Sequence, residues 1–139
     1  MEPLQELIHR WERYLNQDPV LKKRNDHIKS TIADGKDVFE LELKDKGTFT
    51  VKLKNKKFHL RTGKAEQPLV SWSVPLGLYK KVLLGEERIA FAMLDETSTV
   101  SFDTPNFTHW NGATALGVIL MTREMVKRDS EIKKLAESI

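Results

Sequence analysis

The sequence predicts an α+β domain, and three observations carry that prediction. A helical apolar stripe opens the chain, with Leu4, Leu7, Ile8, Trp11 and Leu15 at i, i+3, i+4, i+7 and i+11. Further on, D-V-F-E-L-E-L-K and T-F-T-V-K-L-K alternate with a period of two, so that their apolar members share one face of a strand. Near the end, a run apolar around almost its whole circumference, Ala113 to Met121, passes into the charged tail T-R-E-M-V-K-R-D-S-E-I-K-K-L. At 139 residues, 40% hydrophobic and 31% charged, the chain has the size and composition of one globular domain, 1–139.

The first helix sets Glu2, Glu6, Arg10, Glu12 and Arg13 opposite its apolar stripe. Asp18-Pro19 caps and opens a second helix carrying Leu21, Ile28 and Ile32, which stops at Asp34-Gly35, so that the N-terminal helices fill 1–34. Strands with inserted helices follow over 37–103. A three-residue turn at Asp45-Lys46-Gly47 pairs Leu43 with Phe49, Leu41 with Val51 and Phe39 with Leu53, and sets Glu40 against Lys52. A second turn at Asn55-Lys56 pairs Leu53 with Phe58 and Val51 with Leu60. Both hairpins keep the same face apolar, which predicts an antiparallel sheet with one wet face carrying Thr48, Thr50, Lys52, Lys54, His59 and Arg61.

In L-V-S-W-S-V, Val70, Trp72 and Val74 alternate with Ser71 and Ser73 to give a fourth strand, ended by Pro75. Leu76, Tyr79, Val82 and Leu83 describe a short helix broken near Gly85, and E-E-R-I-A-F-A-M-L a second with Ile89, Ala90, Met93 and Leu94 on one side. T-S-T-V-S-F-D reads as a fifth strand with Val100 and Phe102 inward. The loop T-P-N-F-T-H-W-N-G leads through Asn111-Gly112 into a long last helix, 112–139.

Composition removes several function classes. The 23 cationic residues are interspersed with 20 anionic ones, so no basic stripe for nucleic acid is present. The absence of cysteine excludes disulfides, thiolate metal sites and cysteine nucleophiles. His9, His27, His59 and His109 lack metal-ligand spacing, so no metal or cofactor is expected. Asp95, Glu96, Asp103 and His109 could be grouped with Ser98 or Ser101, but no nucleophile elbow or phosphate loop supports catalysis. The opening M-E-P-L-Q-E-L-I-H-R lacks the pattern of a secretion signal, which points to the cytoplasm. The run Ala113 to Met121 is far short of the roughly 20 residues that cross a bilayer, so stable membrane insertion is not expected. It is either a core plug or the wall of a ligand site. Gly117 within it costs about 1 kcal/mol relative to alanine in mid-helix, which fits a close helix-to-sheet approach or reserved space.

This order of elements resembles the sterol carrier protein 2 family. Val82-Leu83-Leu84-Gly85 and Ala90-Phe91 match the family's leucine-rich turn, glycine and Ala-Phe pair; Thr97 to Asp103 corresponds to its last strand and Ala115 to Met121 to its apolar final helix. The likeness runs from about Leu4 to Met125, and it departs from the family where T-S-T-V-S-F-D-T-P-N-F-T-H-W-N-G replaces a basic, glycine-flanked strand. What the resemblance implies is a five-stranded antiparallel sheet covered on one face by helices. Between them would lie a tunnel for a fatty acid, acyl-CoA, sterol or other lipid, bound without chemistry. Phe39, Leu41, Phe49, Val51 and Trp72 would form the sheet wall with Phe102, while Leu83, Phe91, Leu94, Leu116, Ile119 and Leu120 would form the helical wall. Phe107 and Trp110 would stand at the tunnel mouth or meet a partner. The rival reading is a protein-interaction module, a homodimer formed through the N-terminal helices or the stretch from Met125 to Ile139, with a vestigial tunnel.

Overall fold

The computed structural model describes residues 2–19, 38–55, 57–102 and 123–139. The expected second helix, with Leu21, Ile28 and Ile32, lies outside these residues, as does the run from Ala113 to Met121.

Helix α1, Pro3–Gln17, starts with proline in its first turn, where the missing N–H is not needed. All five residues of its apolar stripe are buried. Four strands follow: β1, Val38–Lys44; β2, Gly47–Lys54; β3, Lys57–Thr62; and β4, Val70–Pro75. Helix α2, Leu76–Leu83, grows directly from the end of β4. It closes with Gly85 at φ 77, the Gly85 N–H donating to the Val82 carbonyl and the Glu86 N–H to that of Lys81. That pair of hydrogen bonds is the usual glycine stop of a helix. Helix α3, Ile89–Leu94, strand β5, Thr99–Phe102, and helix α4, Ser130–Ser138, follow.

The strand order is β3-β2-β1-β4-β5. The sheet is mixed, which corrects the expectation of a purely antiparallel one: β4 runs parallel to β1, with Leu41 beside Trp72 and Leu43 beside Val74. The cause is the connection over 63–69. It extends to about 25 Å, enough to cross the three spacings of about 4.8 Å from β3 to the far side of β1. It passes over the polar face, where the Ala65 N–H donates to the Glu40 carboxylate at 3.2 Å. On that face Ser71 donates to Glu40 at 3.0 Å and Ser73 to Glu42 at 2.6 Å, so the parallel pair is tied by side chains as well as backbone.

The second hairpin has the expected register, Val51 opposite Leu60 and Leu53 opposite Phe58, with Asn55 supplying the left-handed backbone at φ 54. The first is shifted by two residues, Leu41 opposite Phe49 and Phe39 opposite Val51. Glu40 therefore faces Thr50, and the expected pairing with Lys52 does not form. The turn lies one residue earlier than expected: the Lys46 N–H donates to the Leu43 carbonyl, and Asp45 takes the left-handed conformation at φ 63. A shift of two leaves every side chain on its original face, so the hydrophobic pattern alone does not distinguish the two registers.

The long last helix is interrupted. A helical stretch over 123–128 ends at Asp129, whose carboxylate accepts from the N–H groups of Glu131 and Ile132 and caps α4. Met125, Val126, Ile132 and Ala136 are buried with the α1 stripe and the inner face of the sheet in one core.

Candidate functional site

The inner face of the sheet is apolar because alternate residues of four strands point to it. Phe39, Leu41 and Leu43 of β1, Phe49 and Val51 of β2, Phe58 and Leu60 of β3, and Val70, Trp72 and Val74 of β4 are all buried. Helix α1 lies beside β3 and α4, and its Trp11 meets Phe49 edge-on with ring centroids 5.6 Å apart. Its polar side serves the free edge of the sheet. Asn16 donates to the Phe58 carbonyl and accepts from the Phe58 N–H, both at 2.9 Å, while Glu12 accepts from the Leu60 N–H at 2.7 Å. These groups would otherwise form an open edge inviting another strand.

Helix α2 turns back over the same face and buries Tyr79, Val82 and Leu83. Tyr79 packs edge-on against Trp72, centroids 6.0 Å apart at 73°. Burial pushes the Tyr79 hydroxyl far above its ordinary value of 10.0. Neither that hydroxyl nor the indole nitrogens of Trp72 and Trp11 has a hydrogen-bond partner among the described residues.

The residues expected to form the sheet wall, Phe39, Leu41, Phe49, Val51 and Trp72, thus share one buried core with Leu83. Phe102 stands opposite Val70 at the β5 edge. Phe91 and Leu94, expected on the helical wall, face outward with 59% and 82% of their surface exposed. Helix α3 has only six residues and turns Ala92 inward, with Ile89 and Met93 half-buried beside it. Leu116, Ile119, Leu120, Phe107 and Trp110 lie outside the described residues. Sequence reasoning does not reveal the prominence of Tyr79. The residue stands in the apolar spacing of α2, but its contact with Trp72 depends on β4 and α2 joining without a loop.

A concavity of about 250 Å³ opens between α1 and the start of α4, lined by Arg10, Arg13, Tyr14, Asp18 and Asp129 among others. Its charges are largely paired within the protein. Arg10 reaches Glu6 and Glu131, each at 2.9 Å, and Arg128 meets Asp18 at 3.2 Å while lying over the Tyr14 ring. The hydrogen bond from Arg10 holds the Glu6 carboxyl below its usual range, and burial raises the Tyr14 hydroxyl, aided by Asp18. This arrangement clasps the two helices together.

Among the described residues no cluster of three or more histidine and carboxylate groups could hold a metal ion, and no helix is long and apolar enough to cross a membrane. No family model and no curated protein matches the sequence. Solved structures do match. The sterol carrier protein domain 2 of Helicoverpa armigera superposes with a TM-score of 0.62 at 8% identity, covering 88% of this chain and 89% of that one. A crystal structure of sterol carrier protein 2 gives 0.60 at 15% identity over 86% and 95% of the two chains. The apo form of sterol carrier protein 2 from Yarrowia lipolytica gives 0.55 at 15% identity over 84% and 86%. The chain has a sterol carrier protein 2-like α+β fold.

Proposed function

We propose that the chain binds a lipid or similar apolar molecule between the inner face of the sheet and the helices covering it, holding it by burial with no chemical step. The observation that carries this reading is the likeness of nearly the whole chain to structures named as sterol carrier proteins. The described wall supports it: Phe39, Leu41, Phe49, Val51, Trp72 and Leu83 form one continuous, predominantly apolar core. Each methylene a ligand buries against such a wall contributes about 0.8 kcal/mol, so affinity requires few polar contacts. Phe102, Leu116, Ile119 and Leu120 would complete the wall, with Phe107 and Trp110 at its mouth.

The dimer reading has less to draw on. The apolar stripe of α1 and the apolar residues Met125, Val126, Ile132 and Ala136 pack inside this chain. The test is titration of delipidated protein with a fluorescent acyl ester and a fluorescent sterol. Saturable one-to-one binding, reversed by unlabelled lipid, is the expected result. No saturable uptake of either probe would overturn the reading.

A further inference from the structure

Two polar tips sit on adjoining rings of the apolar core. Strand β4 turns Trp72 into the core at 0% exposure, and α2, starting at Leu76, brings Tyr79 against it at 1%. The indole N–H and the hydroxyl have no partner among the described residues. Roughly 90% or more of buried polar groups are hydrogen-bonded, because an unmatched one forfeits its hydration with no return. Phenylalanine in place of Tyr79 would pack the same ring without that cost. Two unmatched donors on rings in direct contact therefore point to an acceptor that arrives with a ligand.

The surroundings restrict that acceptor. Beside Trp72 in the sheet stands Leu41, and Leu43 is beside Val74; all four are fully buried. No charged side chain is buried among the described residues. An ionised carboxylate here would lose its hydration without meeting a cation. A bare hydrocarbon would leave both donors unmatched. A neutral oxygen avoids both penalties.

We propose that the Trp72 indole N–H and the Tyr79 hydroxyl are the polar anchor of the bound molecule. The site then selects an uncharged amphiphile bearing an acceptor oxygen, such as an ester, ketone or ether, over an ionised fatty acid or an alkane. The proposal rests on the lipid-binding reading above and adds the ligand's head-group chemistry. Trp11, whose indole N–H is also unmatched, packs on Phe49 beneath α1 and serves as an internal comparison.

The experiment uses the full chain labelled with nitrogen-15 and titrated separately with methyl laurate, laurate and dodecane. Tyr79→Phe and Trp72→Phe are run in parallel, the second also assigning the indole resonance. Methyl laurate is expected to bind most tightly and to move the Trp72 indole proton downfield, leaving that of Trp11 in place. Tyr79→Phe should weaken methyl laurate roughly three- to tenfold, the loss of one neutral hydrogen bond, and leave dodecane unchanged. The ligand-free variant should melt no lower than the parent, since it loses a hydroxyl that had no partner. If Tyr79→Phe lowers the melting temperature of the ligand-free protein, or weakens ester and alkane equally, the anchor is overturned while lipid binding stands. Equal affinity for all three compounds overturns the anchor in the same way. If none of the three binds, both this proposal and the lipid-binding reading fall.

Discussion

Helices α1 and α3 are both rich in apolar residues, yet the fold uses them in opposite ways. In α1 the five apolar residues at helical spacing are all buried, and the faces beside them carry the groups that pair with β3 and α4. In α3, I-A-F-A-M-L, only Ala92 is fully buried, and Phe91 and Leu94 are the large apolar side chains left exposed among the described residues. Hydrophobicity alone does not orient a helix; contrast between faces does. A six-residue helix apolar on all sides offers no contrast, so packing of its neighbours decides which side turns in.

The comparison can be broken most forcefully at Trp11. Trp11→Ala should cost about 3–5 kcal/mol in denaturant unfolding, because it removes a fully buried indole from between α1 and Phe49. A loss under about 1 kcal/mol would mean that α1 is not part of the core. The polar side of the same helix comes next. Asn16→Ala removes the two hydrogen bonds that tie α1 to Phe58 and should cost about 1–2 kcal/mol, with a greater tendency to self-associate through the β3 edge, visible by light scattering. Asp129→Ala removes the cap of α4 and should cost about 1 kcal/mol, measured by thermal melting.

On α3 the expectation is reversed. Phe91→Ser and Leu94→Ser should each change stability by less than about 0.5 kcal/mol, since the side chains already face water. A cost above about 2 kcal/mol at either position would place α3 inside the core and remove the contrast with α1. The smallest effect concerns acid. Because the hydrogen bond from Arg10 depresses the folded pKa of Glu6, this pair contributes stability above the ordinary value of 4.5, and that contribution is lost as pH falls through the lower folded value. Glu6→Gln should therefore flatten the acid limb of a pH–stability curve slightly below pH 4.5 and leave the neutral range almost unchanged.

Much of this architecture is written in residue periodicity. The α1 stripe, the register of β2 on β3, the inward set Val70, Trp72 and Val74, and the glycine stop after α2 all follow from local pattern, and the structure reproduces each. What local pattern does not encode is choice among equivalent arrangements. The β1–β2 register can shift by two without moving a side chain to the other face, and the register found goes with Asp45 in the left-handed conformation. The parallel placement of β4 depends on where the 63–69 connection travels, and its side-chain ties, Ser71 to Glu40 and Ser73 to Glu42, become visible only once the strands are adjacent. The break at Asp129 does have a local signal, an aspartate followed by S-E-I, hidden by the amphipathic spacing that continues through it. For the candidate site, the apolar inner face of the sheet is legible from alternation. The Trp72–Tyr79 pair is not, since it arises from a contact between two elements.

The central claim is that the covered face of the sheet holds a lipid-sized molecule. Native mass spectrometry of the full chain, purified without detergent or organic solvent, tests it most directly. The account predicts a population heavier than the 16.0 kDa polypeptide by the mass of one small apolar molecule, which organic extraction removes and re-exposure to lipid vesicles restores. A single species at the bare polypeptide mass, unchanged after exposure to vesicles, would contradict it.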